Sequence, residues 1–203
     1  NGQTQGCSNS APFALFGLLS GTPQSGGNWY DPNGSPFTGT YIPGVSSPGV
    51  YKYKRSGTAP CPSDSATVTV FQNTAANAGI STLASLCSTQ PPVLLLSLLG
   101  GTPDNNGSWT YNNDPHGPFF DPALDPPGVY VYTVVGATPC PTVSEQVVIT
   151  VTPAASAGLP GSLSACVDAS AIVLFDGLEG TPDNGGTWST NCAFGTLSNG
   201  IFD

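Results

Sequence analysis

The sequence predicts an all-β protein made of tandem β-sandwich repeats of about 80 residues. Three observations lead to this prediction: nearly identical phrases recur at a fixed period, short apolar runs alternate with period two, and Gly, Pro, Asn and Asp residues separate the runs. Gly (26) and Pro (21) are abundant among the 203 residues, but 38% of the chain is hydrophobic. Because that apolar content can build cores, we expect a folded chain rather than a disordered one.

One phrase occurs three times, as "GTPQSGGNW" at 21–29, "GTPDNNGSW" at 101–109 and "GTPDNGGTW" at 180–188. Cys7, Cys87 and Cys166, each of which precedes one copy of the phrase, recur at the same period. A later phrase, "PGVY" followed by "PCP", occurs in the first two copies only. The period predicts domains at 1–72, 73–152 and 153–203, with the first strand of the first domain and the last strands of the third missing. We expect either that the natural chain continues or that another chain supplies those strands.

The second repeat shows the predicted strands most clearly, near 77–83, 93–99, 107–112, 128–136 and 144–152. Tyr130 and Tyr132 fall on one face of "GVYVYTVV", and Val147 and Ile149 share a face of the final strand. The first repeat has the same alternation at Tyr51, Tyr53, Val68 and Val70. We expect these faces to form the cores.

The recurring phrase reads as a tight turn followed by a core anchor. Proline cannot donate to a central sheet ladder, and the Asp, Asn and Gly residues after it suit a turn. The tryptophan that follows would fill the space between two sheets. The predicted anchors are Trp29, Trp109, Trp188, Tyr51 and Tyr130. In the alternative interpretation, the three tryptophans form an exposed row that stacks on sugar rings.

Each complete repeat has one early and one late cysteine, which predicts the disulfides Cys7–Cys61 and Cys87–Cys140. Cys166 and Cys192 stay unassigned, since Cys192 could pair with Cys166, with a cysteine further along the natural chain or with another chain. The clustered spacing of a zinc site is absent. Charged residues make up only 7% of the chain. Regular cysteines in such a chain favour an oxidising, extracellular setting.

The charge balance excludes several functions. The net charge is −9, and the three basic residues are Lys52, Lys54 and Arg55. Nucleic acid is therefore not an expected partner, because phosphate contacts need many basic side chains. No apolar run is long enough to predict a transmembrane helix.

The residue types that catalysis needs are sparse. The single histidine, His116, lies in a turn-rich stretch and is expected to be a solvated loop residue. Asp121 and Asp125 have no acidic counterpart in the first repeat, which argues against a glycosidase pair. Asp104 and Asp183 could each contribute an oxygen ligand to a calcium site, and this possibility stays open. The first repeat has Gln24 and Ser25 in this part of the phrase. No catalytic residue, metal ligand or cofactor is predicted.

The stretch "PGVYVYTVVGATPCPTVSEQVVITVT" together with "LEGTPDNGGTW" resembles the tandem Ig-like repeats of very large secreted surface proteins of Bacteroidetes, including gliding-motility-type adhesins exported by type IX secretion. The resemblance covers the whole chain at the level of the repeat. It implies Ig-like sandwiches, surface export and a stalk or filament role. It also implies that Ser65, in "DSA" at 64–66, is a candidate for O-glycosylation.

The leading functional hypothesis is therefore a non-catalytic structural segment of an extracellular stalk or filament, which associates with itself or with neighbouring repeats of the same chain. The alternative is a module that binds glycans or host surfaces through loops or exposed aromatics. A third is an accessory domain attached to an enzyme elsewhere in a longer chain.

Overall fold

The computed structural model describes residues 1–166, 170–191 and 195–203, and it confirms the all-β prediction. Cys192 lies outside the described residues. In the described chain the helical segments are short 3-10 turns at Phe16–Leu18, Leu95–Leu98 and Leu174–Gly177. The described chain divides into two compact units. The first unit comprises Asn1–Leu86 and Gln90–Thr150, and the second comprises Cys87–Thr89 and Val151–Asp203.

The first repeat has a five-stranded sheet, in the order β1-β7-β6-β3-β4, and a two-stranded ladder of β2 and β5. Its strands are β1 (Gly2–Cys7), β2 (Phe13–Ala14), β3 (Asn28–Tyr30), β4 (Pro36–Phe37), β5 (Thr40–Tyr41), β6 (Gly49–Arg55) and β7 (Asp64–Asn73).

The second repeat has the same arrangement, with a sheet in the order β11-β10-β13-β14-β8 and a ladder of β9 and β12. Its strands are β8 (Thr82–Cys87), β9 (Val93–Leu94), β10 (Ser108–Tyr111), β11 (Asp114–His116), β12 (Phe119–Phe120), β13 (Gly128–Val134) and β14 (Val143–Thr152).

The strand pairing identifies both repeats as Ig-like sandwiches. The first strand, β1, runs parallel to the last strand, β7, with Gly2 opposite Val68 and Cys7 opposite Asn73. The other neighbours in this sheet are antiparallel, and the ladder of β2 and β5 supplies the facing layer. Two layers around one apolar core are the architecture of the Ig-like fold, so the predicted fold class is confirmed.

The core lies between the two layers and is rich in tyrosine. In the second repeat Tyr130, Tyr132, Val147 and Ile149 are buried, as their alternation predicted. In the first repeat the tyrosine and valine faces of β6 and β7 meet leucines from the opposite layer. The buried cluster there consists of Leu15, Leu19, Trp29, Tyr41, Tyr51, Tyr53, Val68 and Val70.

The third repeat has a smaller sheet, in the order β15-β17-β16, which lies in the second unit. Its strands are β15 (Ile172–Val173), β16 (Leu197–Ser198) and β17 (Ile201–Phe202). The described residues 161–166, which match β1 and β8 by the period, form no strand.

Two local predictions are wrong, while the first repeat does contain a strand, β1, at the positions that match β8. The run at 93–99 is a strand for two residues and then a 3-10 turn, in which Leu95 and Leu99 are buried while Ser97 between them is exposed, although a strand would place all three on one face. The first strand of the second repeat is Thr82–Cys87, not 77–83.

Candidate functional site: the recurring turn and the joint between the first two repeats

The recurring turn binds the segment that leads into its own repeat. In the second repeat the Asp104 amide donates to the Asn77 carbonyl at 2.8 Å, and the Asn77 amide donates to the Asp104 carboxylate at 2.9 Å. Ile80 and Gly100 form an isolated antiparallel bridge beside these bonds. This clasp holds residues 77–80 against the turn, which is why the strand begins only at Thr82.

The third repeat has the same clasp. The Asp183 amide donates to the Ser156 carbonyl at 2.8 Å, and the Ser156 amide donates to the Asp183 carboxylate at 2.8 Å. The carboxylates of Asp104 and Asp183 therefore bind the backbone amides of Asn77 and Ser156. Among the described residues, no group of three or more His, Cys, Asp or Glu side chains could hold a metal ion.

The turn also holds the hydroxyl of a tyrosine from the sheet. The Tyr132 hydroxyl donates to the Asp104 carbonyl at 2.6 Å and accepts from the Gly107 amide at 2.8 Å. The first repeat does the same with Tyr53, which donates to the Gln24 carbonyl at 2.7 Å and accepts from the Gly27 amide at 2.7 Å. We call this arrangement of turn carbonyl, glycine amide and tryptophan ring the tyrosine socket.

A glycine is required in each filled socket because the ring lies against the backbone. A Cβ on Gly107 would lie 2.5 Å from Cζ of Tyr132, and one on Gly27 would lie 2.6 Å from Cζ of Tyr53. The tryptophan closes the other side, since the ring centroids of Trp109 and Tyr132 are 4.9 Å apart. The socket therefore explains the order Gly-x-Trp in the recurring phrase.

The predicted tryptophan anchors differ between repeats. Trp29 and Trp109 are 7% and 5% exposed, whereas Trp188 is 36% exposed. An exposed row of three tryptophans for stacking on sugars is therefore wrong. Tyr51 and Tyr130 are fully enclosed, and their hydroxyls donate to the carbonyls of Ser47 and Pro126, respectively.

A disulfide joins the first repeat to the second, between Cys7 and Cys140, with Cα atoms 4.9 Å apart. The predicted pairings Cys7–Cys61 and Cys87–Cys140 are thereby corrected. Cys7 ends β1 beside Asn73, the last residue of β7, whereas Cys61 precedes the start of β7. A strand as long as β7 holds its two ends much further apart than the Cα separation that a disulfide allows.

Hydrogen bonds surround this disulfide at the joint. The Asn73 side-chain amide donates to the Thr138 carbonyl at 2.7 Å, and the Gln5 side-chain amide donates to the same oxygen at 3.1 Å. The Ala75 amide donates to the Ser8 hydroxyl at 2.9 Å. Residues from the end of the first repeat thus meet the turn between β13 and β14 of the second.

The remaining cysteines lie in different surroundings. Cys61 is exposed and forms no disulfide with any described residue. Cys87 is half-buried, and its hydrogen bond with the Thr89 hydroxyl lowers the pKa of its thiol. Cys166 is exposed.

The polar candidates do not form a catalytic set. His116 is a residue of β11 and not a solvated loop residue, and it packs edge-on against Tyr130 with Nε2 3.6 Å from the Asp125 carboxylate. Asp125 also accepts from the Asp121 amide at 2.7 Å, which closes the local turn. Ser65 is exposed on β7, opposite Lys54 of β6.

Because of the enclosed tyrosines, the stability of the protein should depend on pH in the alkaline range. Burial raises the pKa of Tyr130 to about 12, and the nearby charges of Asp125 and Tyr111 act in the same direction. Burial also raises the pKa of Tyr41 and of Tyr51.

We expect the free energy of unfolding to fall as pH rises from about 10, the ordinary tyrosine pKa, towards 12. A raised folded-state pKa contributes stability that is complete below the unfolded-state value and is lost above it. Urea titrations at several pH values would measure this slope. Tyr130→Phe should give a shallower slope, and an unchanged slope in that variant would contradict the assignment.

Comparisons with known proteins show likeness to Ig-domain structures. No protein-family model and no curated protein matches the chain. A three-Ig structure of titin domains I67-I69, an E-to-A variant, matches with 12% identity and a TM-score of 0.39, covering 75% of this chain and 63% of that one. The I-band fragment I67-I69 of titin gives 12% and 0.40 with the same coverage. Thus the chain spans about 63% of the length of these titin fragments.

A third structure, described as Titin-A168169, matches with 15% identity and a TM-score of 0.35, covering 74% of this chain and 95% of that one. No helix of the described residues is long and apolar enough to cross a membrane.

Proposed function

We propose that the chain is a non-catalytic structural segment of an extracellular stalk or filament, as in a bacterial cell-surface adhesin. The observation that carries the proposal is the joint between the first two repeats, where a disulfide and side-chain hydrogen bonds connect consecutive domains. A stalk gains resistance to extension at the point where a series of domains is weakest.

The composition supports the same function. Only 7% of the residues are charged. Lateral or end-to-end association of the chains therefore removes few charged side chains from water. Disulfide formation favours an oxidising compartment, which agrees with an extracellular site. The resemblance to tandem repeats of Bacteroidetes surface proteins supports surface export and makes the exposed Ser65 the candidate glycosylation site.

Electron microscopy of the native secreted material, with and without reductant, tests this function. We expect ordered fibres with an axial repeat equal to one or two domains, and we expect reductant to loosen or fragment them. Soluble single chains that retain affinity for a glycan array would instead favour the binding module.

Force spectroscopy gives an independent prediction for a structural segment. In the oxidised chain, the disulfide shields the residues between Cys7 and Cys140 from extension. Reductant should therefore add roughly 450 Å of extensible length, since each released residue contributes about 3.4 Å when fully extended. Cys61→Ser is the matched control and should extend like the unaltered chain. Equal extension with and without reductant would contradict a mechanical role for the joint.

A further inference from the structure

The sheet of the second repeat has an outer side that is built from uncharged residues. In β13, Tyr130, Tyr132 and Val134 are buried, so the residues between them point outwards. The residues of β14 alternate in the same way around the buried Val147 and Ile149. We call six outward residues of these two strands the neutral face: Val129, Val131, Thr133, Ser144, Gln146 and Val148.

Apolar side chains occupy part of this outer side. Val129 is 42% exposed and lies opposite Val148. On the edge strand β8, which neighbours β14, alternation from the buried Leu86 places Leu83 on the same outer side, where it is 84% exposed. Apolar surface that is grouped on one side of a protein marks an interaction site more often than scattered apolar residues do.

The hydroxyl groups beside the apolar residues are already hydrogen-bonded within the sheet. Oγ1 of Thr133 and Oγ of Ser144 lie 2.8 Å apart. The Thr150 hydroxyl donates to the Ala84 carbonyl at 3.3 Å. Because these groups have partners inside the molecule, a surface laid over them would leave none of the three hydroxyls unsatisfied.

The acidic residues of the second repeat lie away from the neutral face. Three of them lie in turns, where their carboxylates accept from backbone amides: Asp104, Asp121 and Asp125. Glu145 alternates with Gln146 along β14 and so belongs to the inner side of the sheet. Asp114 of the edge strand β11 lies opposite Tyr111, whose ring stacks on the buried Tyr130. Two copies joined through the neutral face would therefore remove no carboxylate of this repeat from water.

The first repeat carries two lysines at matching positions. By the period, Lys52 and Lys54 of β6 match Val131 and Thr133 of β13. Both lysines are exposed, and neither forms an ion pair with a described residue. A sheet laid over them would remove two ammonium groups from water without a counter-charge, which is unfavourable. The first repeat therefore excludes a contact that the second repeat allows.

The outer side of this sheet is large enough for a small interface. The sheet has five strands, and its central strand, β13, has seven residues. At the usual strand spacing and rise it measures roughly 24 by 23 Å, so two copies would bury roughly 1,100 Å² together. Stable complexes bury upwards of roughly 1,200 Å², and weaker ones bury less. The area thus suits a weak, reversible pair of chains.

We propose that the neutral face is the surface through which two copies of this chain pack, sheet against sheet, about a two-fold axis. Such a contact brings the same apolar residues of both copies together. The Gln146 amide offers both a donor and an acceptor to its counterpart. Lys52 and Lys54 restrict the contact to the second repeat and so fix how the two chains are aligned. The contact specifies lateral association in the proposed filament, and in that respect it rests on the proposed function.

Sedimentation equilibrium of the oxidised full chain tests the contact. We expect a reversible monomer–dimer equilibrium. Val131→Lys combined with Thr133→Lys gives the second repeat the residues of the first, and it should raise the dissociation constant at least about tenfold. The variant makes the net charge of −9 less negative, which by itself favours association. A weaker dimer would therefore report where the lysines lie.

The double variant should fold, because the first repeat buries Tyr51 and Tyr53 beside lysines at the same positions. Unchanged thermal unfolding would check this. Val45→Lys combined with Leu124→Lys is the matched control, since these residues are 78% and 82% exposed in turns outside the sheets. It adds the same charge and should leave the dissociation constant unchanged.

The converse variant, Lys52→Val combined with Lys54→Thr, gives the first repeat the residues of the neutral face. It should allow assembly beyond the dimer. A chain that stays monomeric at millimolar concentration would overturn the proposal, including the case in which another component of the native material covers the neutral face. A dimer that the lysines at 131 and 133 do not weaken would overturn it as well.

The experiment separates this contact from the proposed function. A dimer that the two lysines weaken, in a protein whose native material forms no fibres, would contradict the filament and support the contact. Ordered native fibres, together with an isolated chain whose association is unaltered by the two lysines, would contradict the contact and leave the filament standing.

Discussion

Replacing Cys7 or Cys140 by serine is expected to lower the free energy of unfolding of the first two repeats by about 3–5 kcal/mol. The disulfide closes a loop with a sequence separation of 133. The chain-entropy model gives its largest stabilisation to such long loops. Guanidinium titrations of the oxidised proteins, followed by tryptophan fluorescence, would measure the loss. The two single variants and the double variant should lose similar amounts, since each removes the same bond.

Cys61→Ser is the matched control, because Cys61 is exposed and belongs to the same phrase as Cys140. It should change the free energy of unfolding by less than about 0.5 kcal/mol. A loss from Cys61→Ser as large as that from Cys7→Ser would support a Cys7–Cys61 disulfide within the first repeat. It would contradict the Cys7–Cys140 disulfide between the repeats.

Gly107→Ala is expected to destabilise the second repeat by about 2–3 kcal/mol. The added methyl would lie 2.5 Å from Cζ of Tyr132 and 2.6 Å from the Thr133 carbonyl oxygen. The ring is fixed by Trp109 and by its own hydroxyl bonds, so it cannot move aside without losing both. Thermal unfolding of the variant would show the loss.

Gly186→Ala is the matched substitution in the third repeat and should be nearly neutral in the isolated chain, since the added methyl meets no described atom within 4 Å. Equal destabilisation by the two variants would mean that the contact with Tyr132 is not the cause of the loss. Tyr132→Phe is a further probe, and it should cost about 1 kcal/mol through the lost hydroxyl bonds.

The sequence predicts much of this fold because the repeats differ mainly on one face of each strand. Tyr130 and Tyr132 keep their alternation while Lys52 and Lys54 of the first repeat become Val131 and Thr133. That comparison identifies the buried face without any structure, and the burial of both tyrosines agrees with it.

The disulfide could not be paired from spacing, because the pairing depends on the direction of β1. Counting cysteines favours one bond per repeat, whereas the parallel alignment of β1 with β7 places Cys7 and Cys61 at opposite ends of the sheet. The parallel first strand of an Ig-like sheet is the signal that would have separated the two pairings.

The 3-10 turn at Leu95–Leu98 and the tyrosine socket were missed for a different reason. A short leucine run is compatible with strand and helix alike, and what distinguishes them here is the exposed Ser97 between the buried Leu95 and Leu99, since a strand would bury all three. The socket joins Gly107 to Tyr132, which are distant in the chain, so no local pattern reveals the contact. In the sequence, the tyrosine socket is indicated by the glycine that stands two residues before each tryptophan.

The most direct test of the covalent joint is a peptide map of the oxidised chain, alkylated before digestion with a protease that cleaves before aspartate. Such cleavage places Cys7 in 1–30, Cys61 in 31–63, Cys87 in 64–103 and Cys140 in 125–167. Fragmentation of a linked pair in the mass spectrometer then distinguishes Cys140 from Cys166, which lies in the same peptide. The account predicts that 1–30 is linked to 125–167 through Cys140 and that 31–63 carries an alkyl group on Cys61. A linked pair of 1–30 and 31–63 would contradict it, because each repeat would then be closed on itself.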